Sequence, residues 1–410
     1  MTDRVILHCD LNNFYASAEC ISHPEWKDVP LAVCGNPEKR HGVVLAKNEI
    51  AKKLGIKTGD VIWQAKKKAP NLVTVPPHFE LYMEYSRQMF RLYNDYTDMV
   101  EPFGADECWL DVTGSQKLFG DGRTIADKIR ARVKQESGLT CSVGVSFNKV
   151  FAKLGSDLKK PDATTVIDRE NFKRLIWQLN ANEMLMVGRR TYDRLVKLNI
   201  ITIGDLANAD PDMLKSNFGI NGLKMKENAM GEDKEPVREA VKSRDIKSIG
   251  HGMTATRDIE TLSDARDLIF YLSEKVAVRM RKNGVRGSLV SVGMRDNALF
   301  SIVRQKPINL PTYSSTEIAE AATALFAENW NGDPMRTLTV AMSKLEKYDE
   351  PRQLSFLADS DRNDKLEKLD EAIDKITHKY GGSVIHRANY LGKDFIYDKT
   401  DAEDFLPFQR

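Results

Sequence analysis

The stretch Gly104-Ala105-Asp106-Glu107-Cys108-Trp109-Leu110-Asp111 sets three carboxylates within six residues of an otherwise apolar run. Carboxylate oxygens are hard donors and suit a divalent cation. In a regular strand Asp106 and Glu107 would point to opposite faces, whereas at a bend both turn toward one point. Alone, an acidic pair at a hairpin reads as a solvated turn. A second acid site shifts the balance: Arg4-Val5-Ile6-Leu7-His8-Cys9-Asp10 is an apolar run that ends on an acid, followed by Leu11-Asn12-Asn13-Phe14-Tyr15-Ala16-Ser17-Ala18-Glu19. Two strand-end acid sites suggest one shared cation site.

The elements that must position these acids follow from periodicity. Residues 99–103 and 108–112 read as short strands, with Gly104 supplying the freedom a tight turn needs. Before them, residues 79–98 carry Phe79, Tyr82, Met83, Ser86, Met89, Phe90 and Tyr93 at helical spacing. A second helix is expected over 124–136 and a strand over 139–145. Strand, helix, strand, strand, helix, strand is the order of a split βαβ sheet with helices on one face. It predicts that Asp10 and the hairpin sit on neighbouring central strands. Residues 146–157 then make a short basic helix, and Pro161 fixes a turn that presents Lys160.

Between the two acid sites lies a small module reaching about Val75. Residues 31–35 and 42–46 read as strands, followed by a helix over 48–54 closed by Gly55. Lys47, Lys52, Lys53 and Lys57 crowd it, either as a solvated face or to bind phosphate. From Phe172 to about Val237 the chain turns helical. Two glycine-bearing turns, Met186-Val187-Gly188-Arg189-Arg190 and Asn217-Phe218-Gly219-Ile220-Asn221-Gly222, could offer backbone N–H groups to a phosphate or serve as helix caps.

A polar linker leads to another α+β unit, with helices over 263–282 and 315–329 and strands over 286–294, 297–303 and 336–342. Lys242 to Lys306 holds 13 basic and 7 acidic residues, a face suited to a nucleic-acid backbone, whereas Glu346 to Arg410 holds 11 basic and 15 acidic. Within that acidic tail, Gln353-Leu354-Ser355-Phe356-Leu357 is an apolar cluster between charged flanks, the pattern of a docking peptide. Leu366, Leu369, Ile373 and Ile376 recur at helical spacing and predict an amphipathic helix that needs a partner surface.

At 410 residues the chain has room for two to four domains, and its net charge of +2 identifies no partner by itself. Five cysteines, odd in number and without a CxxC pair, argue against a disulfide framework and against a zinc site. The absence of a signal peptide or of an apolar run near 18 residues points to a cytoplasmic chain without membrane attachment.

Asp10-Leu11-Asn12-Asn13-Phe14-Tyr15-Ala16-Ser17-Ala18-Glu19, Gly104-Ala105-Asp106-Glu107 and Asn148-Lys149-Val150-Phe151-Ala152-Lys153 together closely resemble the Y-family translesion DNA polymerases, the bacterial polymerase IV type above all. Leu45-Ala46-Lys47-Asn48-Glu49-Ile50-Ala51-Lys52 and Asn12 lean toward the polymerase V catalytic subunit. The resemblance covers residues 1 to about 357. It implies an α+β multidomain right hand: a ferredoxin-like palm (1–10 and 76–166), small fingers (11–75), a helical thumb with helix-hairpin-helix turns (167–238), a linker (239–246), an α+β little finger (247–345) and a tail (346–410).

It further implies two Mg²⁺ held by Asp10, Asp106, Glu107 and the backbone carbonyl of Leu11, with Asp111 outside the metal set. Tyr15 would be the steric gate against a 2′-hydroxyl. Phe14, Tyr15, Lys52 and Lys160 would line the nucleotide, although Glu49 and Lys52 stand where many members carry tyrosine and arginine. Gly188, Arg189, Gly219 and Gly222 would meet DNA phosphates, and Gln353, Leu354, Phe356 and Leu357 a sliding clamp. The expected activity is error-prone, template-directed DNA synthesis without proofreading, by a cytoplasmic, nucleoid-associated monomer with primer-template DNA, dNTPs and the clamp as partners. The alternatives are a non-catalytic scaffold of the same fold that binds DNA and docks on the clamp, and a nucleotidyl cyclase sharing the palm geometry.

Overall fold

The computed structural model describes residues 3–40, 42–239, 246–349, 360–381, 384, 385, 387 and 388. Contacts divide the chain into two units. The first comprises residues up to Gly35 and Val43–Ser243, and the second Arg244–Asp401 with the short segment Asn36–Gly42.

The first unit contains strands β1 (Ile6–Leu11), β2 (Leu31–Cys34), β3 (Val44–Lys47), β4 (Val73–Val75), β5 (Val100–Pro102), β6 (Glu107–Asp111), β7 (Cys141–Ser146) and β8 (Thr164–Ile167). Five of them form one sheet in the order β5-β6-β1-β7-β8. This is the expected split βαβ topology with β1 at its centre, extended by β8 running parallel to β7. Alternation along β1 decides what each face does. Leu7, Cys9 and Leu11 enter a core shared with the helices Phe79–Asn94 and Gly122–Ser137. Each fully buried aliphatic side chain there contributes about 1.5–3 kcal/mol. Ile6, His8 and Asp10 face the other way.

That second face is covered in part by a third helix, Lys149–Leu158, so the helices do not all share one face. Two local features seat it. Asn148 caps its start by accepting from the Phe151 N–H at 2.8 Å, a contact of about 1 kcal/mol. Gly144 on β7 lets the backbones touch, since a Cβ there would stand 1.8 Å from the Ala152 carbonyl oxygen.

The expected boundary at residue 11 cuts through this first core. Phe14, Ala16 and Ala18 of the helix Phe14–Ser22 pack with Tyr82, Met89 and Leu110. The part with a core of its own is the three-stranded sheet β3-β2-β4, where Ala32, Cys34, Val44, Ala51, Ile56, Ala65 and Leu72 cluster. Asn48 ties its short helix Glu49–Lys53 to β2, since Oδ1 accepts from both Ala51 N–H (3.0 Å) and Leu31 N–H (3.1 Å). Farther on, the helices Arg189–Lys197, Ile203–Asn208, Pro211–Phe218 and Ile220–Ala229 form two helical hairpins whose core reaches back to Phe151 and Leu154.

The second unit holds β9 (Ser248–Ile259), β10 (Val285–Asp296), β11 (Ser301–Thr312) and β12 (Met335–Lys347) in the antiparallel order β11-β10-β12-β9. The helices Leu262–Lys282 and Ser315–Asn329 contribute to its core. Strand β9 lies where the sequence led directly into a helix. Gly250 and Gly252 hide its alternation, and both are needed because Ala341 and Thr339 of β12 lean across them.

The tail helix Ser360–Tyr380 forms, but it docks mainly by a polar stripe beside the apolar one its spacing suggested, of which Leu366 and Ile373 are only half-buried. Asn363, Glu367 and Asp370 are buried, whereas Leu369 is 51% and Ile376 39% exposed. Glu367 accepts from Thr312 Oγ1 at 2.9 Å, and Asp370 accepts from the Ser315 N–H at 2.6 Å, an acid at the first turn of a helix. Arg281, nearly buried, donates to Asp374 at 2.6 Å. A desolvated guanidinium and a helix N-terminus need counter-charges more than the surface needs two more aliphatic contacts. The expected clamp peptide, Gln353, Leu354, Phe356 and Leu357, lies outside the described residues.

Candidate active site

Asp10 is the next-to-last residue of β1 and pairs across the ladder with Glu107, the first residue of β6. Asp106 stands just before β6, where its carbonyl accepts from the Leu11 N–H at 3.0 Å and locks the two strand ends together. The turn therefore brings Asp106 and Glu107 to the end of the sheet where Asp10 emerges. All three line one open cleft of about 450 Å³ with Leu11, Asn13, Phe14, Tyr15, Lys47, Thr58, Lys153 and Lys160. Asp111 is four residues along β6, opposite Ile6, and accepts from the Thr113 N–H at 3.0 Å. It is a structural residue outside the cleft.

The carboxylates are not equivalent. Burial, then the neighbouring Asp10 and Glu107, push Asp106 up to about 7. Burial also raises Asp10, against the pull of Lys160. Glu107 goes the other way: burial would raise it, but the close approach of His8 and the hydrogen bond and charge of Lys153 outweigh that and bring it to about 2. Three crowded carboxylates with one strained toward its neutral form are what a divalent cation would relieve, and their donor atoms are hard oxygens. The set fits Mg²⁺. His8, Asp10 and Glu107 also bring ligand atoms within 4.8 Å of one another.

Tyr15 is half-buried at the cleft wall. Its ring stacks on Tyr82 at 4.2 Å with 11° between the planes, and Tyr82 O–H donates to the buried carboxylate of Glu19, which also meets His78 Nδ1 at 2.9 Å. Phe14 borders the cleft too, but it is only 3% exposed within the sheet core, so Tyr15 is the more accessible of the two rings. Lys160 reaches in from its turn, Nζ lying 2.7 Å from Asp10 Oδ2. Asn12 steadies that turn, its Oδ1 accepting from the Asp162 N–H at 2.8 Å.

Lys52 is not brought into the cleft. Its side chain is 49% exposed and lies 3.4 Å from Glu49 Oε1, while Glu49 in turn accepts from Asn13 Nδ2 at 2.8 Å. The cation of this module that does line the cleft is Lys47, whose Nζ donates to Thr58 Oγ1 at 3.1 Å. Strand alternation alone does not reveal this, because the reach depends on how β3 approaches the sheet end.

The glycine turns also separate. Gly188 and Gly219 cap the starts of Arg189–Lys197 and Ile220–Ala229. Gly222 does not present its N–H outward: it is buried, its N–H goes to the Gly219 carbonyl at 3.1 Å, and a Cβ would stand 2.3 Å from the Leu214 carbonyl oxygen. Its glycine serves helix packing. Among the described residues no helix is long and apolar enough to cross a membrane.

Sequence reasoning passed over His8 and left Lys153 without a role. His8 shares the face of Asp10 by simple alternation, and Lys153 shares a helix face with Lys149. Both signals were present, but only the helix placement shows that they converge on Glu107.

Comparison with known proteins matches residues 9–157 to the impB/mucB/samB family and residues 246–356 to the C-terminal domain of that family. The chain is 46% identical over 389 residues to a DNA polymerase IV of Acetivibrio thermocellus, covering 95% of this chain and 98% of that one. It is 38% identical over 400 residues to DNA polymerase IV 2 of Bacillus subtilis, covering 95% of each. Among solved structures, a Y-family DNA polymerase chimera is similar with a TM-score of 0.74 at 24% identity, over 83% of this chain and 98% of that one. That likeness extends the agreement to the fold.

Proposed function

The chain belongs to the impB/mucB/samB family and is a Y-family DNA-directed DNA polymerase of the polymerase IV type, and from this premise we propose how its cleft works. The reaction is nucleotidyl transfer: the primer 3′-oxygen attacks the α-phosphorus of a dNTP, the bond to the bridging oxygen breaks, and pyrophosphate leaves. The observation that carries this reading is Asp10 directly opposite Glu107, with Asp106, Tyr15 and Lys160 in the same cleft.

Two Mg²⁺, held by Asp10, Asp106, Glu107 and the Leu11 carbonyl, would supply activation of the 3′-hydroxyl and neutralisation of the leaving group. Lys160 offers its ammonium to the triphosphate, and Lys47 takes the fingers position that Lys52 leaves. Tyr15, backed by Tyr82, lies beneath the sugar and excludes a 2′-hydroxyl. The helix starts at Gly188-Arg189 and Gly219 hold DNA phosphates without reading sequence.

Synthesis is error-prone and bypasses damaged templates, because the fingers core is small, and it runs without proofreading, since among the described residues only the tail helix lies outside palm, fingers, thumb and little finger. The enzyme works as a monomer in the cytoplasm, at the nucleoid, and docks on a sliding clamp through Gln353–Leu357; the sequence of that peptide supports the last point. Primer extension with Mg²⁺ and dNTPs on intact and lesion-bearing templates tests the reading. Extension by the parent chain and none by Asp106→Ala is expected. Undiminished synthesis by Asp106→Ala would overturn the metal assignment, and a parent chain that binds primer-template DNA without extending it would favour the scaffold.

A further inference from the structure

Glu107, like Asp10, has one carboxylate oxygen engaged by an ammonium, and its partner stands on the helix packed against the sheet. Its Oε2 receives Lys153 Nζ at 2.5 Å and lies 3.3 Å from His8 Nε2. His8 is locked in the interior, and Lys153 is largely buried at the cleft wall. Lys153 is 19% exposed, with Nζ 5.1 Å from the Phe103 ring centroid. His8 is fully buried, its Nδ1 2.9 Å from Ser156 Oγ and its ring 5.3 Å from that of Trp109. Lys153 and Ser156 belong to the same helix, Lys149–Leu158, which Gly144 allows to lie directly on the sheet. The contact is thus built into the packing of the helix on β1 and β7. With Oε2 engaged by an ammonium, Oε1 is the oxygen Glu107 can give to a cation.

We propose that Lys153 is a positioning residue: it fixes Glu107 so that one oxygen, Oε1, faces the cleft, and its charge keeps the cleft's hold on a divalent cation weak enough for exchange. The inference rests on the polymerase reading, yet half of it concerns cation binding alone. An ammonium beside a ligand oxygen subtracts from the field that attracts a cation. A freely rotating Glu107, by contrast, would hold a cation well in a geometry unsuited to transfer. Affinity and turnover should therefore move in opposite directions when the ammonium is removed.

Two substitutions separate this from ordinary structural support. Lys153→Met keeps the length of the side chain and removes the charge. Lys153→Arg keeps the charge, but its fork can engage both oxygens of Glu107 and so competes for Oε1. Mn²⁺ binding to the DNA-free protein is measured by electron paramagnetic resonance, with melting temperature as the control for folding, and kcat and KM for dNTP are measured by primer extension. Lys153→Met should bind Mn²⁺ about 3- to 10-fold more tightly and Lys153→Arg more weakly by a similar factor. Both should lose about 10-fold or more in kcat, with KM for dNTP close to the parent. Mn²⁺ affinity that is unchanged in both variants, or that falls in both, would overturn the proposal. A parent chain that binds Mn²⁺ but extends no primer would instead sink the polymerase reading, so the two failures are distinct.

Discussion

Lys160 Nζ lies 2.7 Å from Asp10 Oδ2 and 2.7 Å from Asp157 Oδ1, so one ammonium joins the end of the central strand to the helix that covers it. Those charges raise its pKa although burial opposes them, and Lys160 stays cationic. Lys160→Ala should raise KM for dNTP about 10- to 100-fold, with a smaller loss in kcat, in steady-state primer extension. Asn12→Ala, which frees the Asp162 N–H and loosens the turn, should act in the same direction and more weakly.

Asp106 couples pH to cation binding. Its pKa in the folded protein, about 7, is above the ordinary carboxylate value. Between roughly pH 4 and 7 the folded state therefore binds more protons than the unfolded state, and stability falls as pH rises through that window. A bound cation removes the reason for the proton. The rise in melting temperature caused by Mg²⁺ should thus grow as pH increases from 6 to 8. Asp106→Asn, free of the crowded charge, should be more stable than the parent without Mg²⁺ at pH 8, by about 1–2 kcal/mol in unfolding free energy, while losing activity. A parent whose Mg²⁺ response is flat across this range would contradict the assignment.

Sugar selection should depend on more than Tyr15. Tyr15→Ala should admit ribonucleotides, reducing the dNTP preference by about 100-fold or more as ratios of kcat/KM. Tyr82 holds the flat face of Tyr15, and Glu19 holds the Tyr82 hydroxyl. Tyr82→Leu should relax selectivity by a smaller factor with the gate ring still present. If Tyr82→Leu leaves the ratio at the parent value, the stack is packing and nothing more.

The tail helix should come away when its polar seat is broken. Arg281→Ala leaves Asp370 and Asp374 without their guanidinium partner. The buried acid then costs about 3–5 kcal/mol, enough to open a peripheral helix locally. Hydrogen exchange over residues 363–374 should accelerate in this variant, while exchange in β10 and β12 stays slow. Unchanged protection would show that the exposed Leu369 stripe, or another contact, holds the helix.

Much of the architecture was legible because it rests on local patterning. A short apolar run ending on an acid marked β1, helical spacing marked Phe79–Asn94 and Ser315–Asn329, and three acids at strand ends marked the cleft. Strand β9 was not legible, because two glycines and His251 replace the alternation that a partner strand's side chains make unnecessary. The tail helix misled for a related reason: apolar spacing predicts burial only where the opposing surface is apolar, and here that surface carries Arg281 and a helix N-terminus.

By itself, then, the sequence determined which carboxylates could share a cation, since donor chemistry and strand position are local properties. The tertiary structure decided which residues act together. It set Asp10 across from Glu107, left Lys52 outside the cleft and Lys47 within it, buried Gly222 in a helix contact, and placed Lys153 against Glu107. Each of these depends on how one element lies against another, and the spacing along one chain carries no record of that distance.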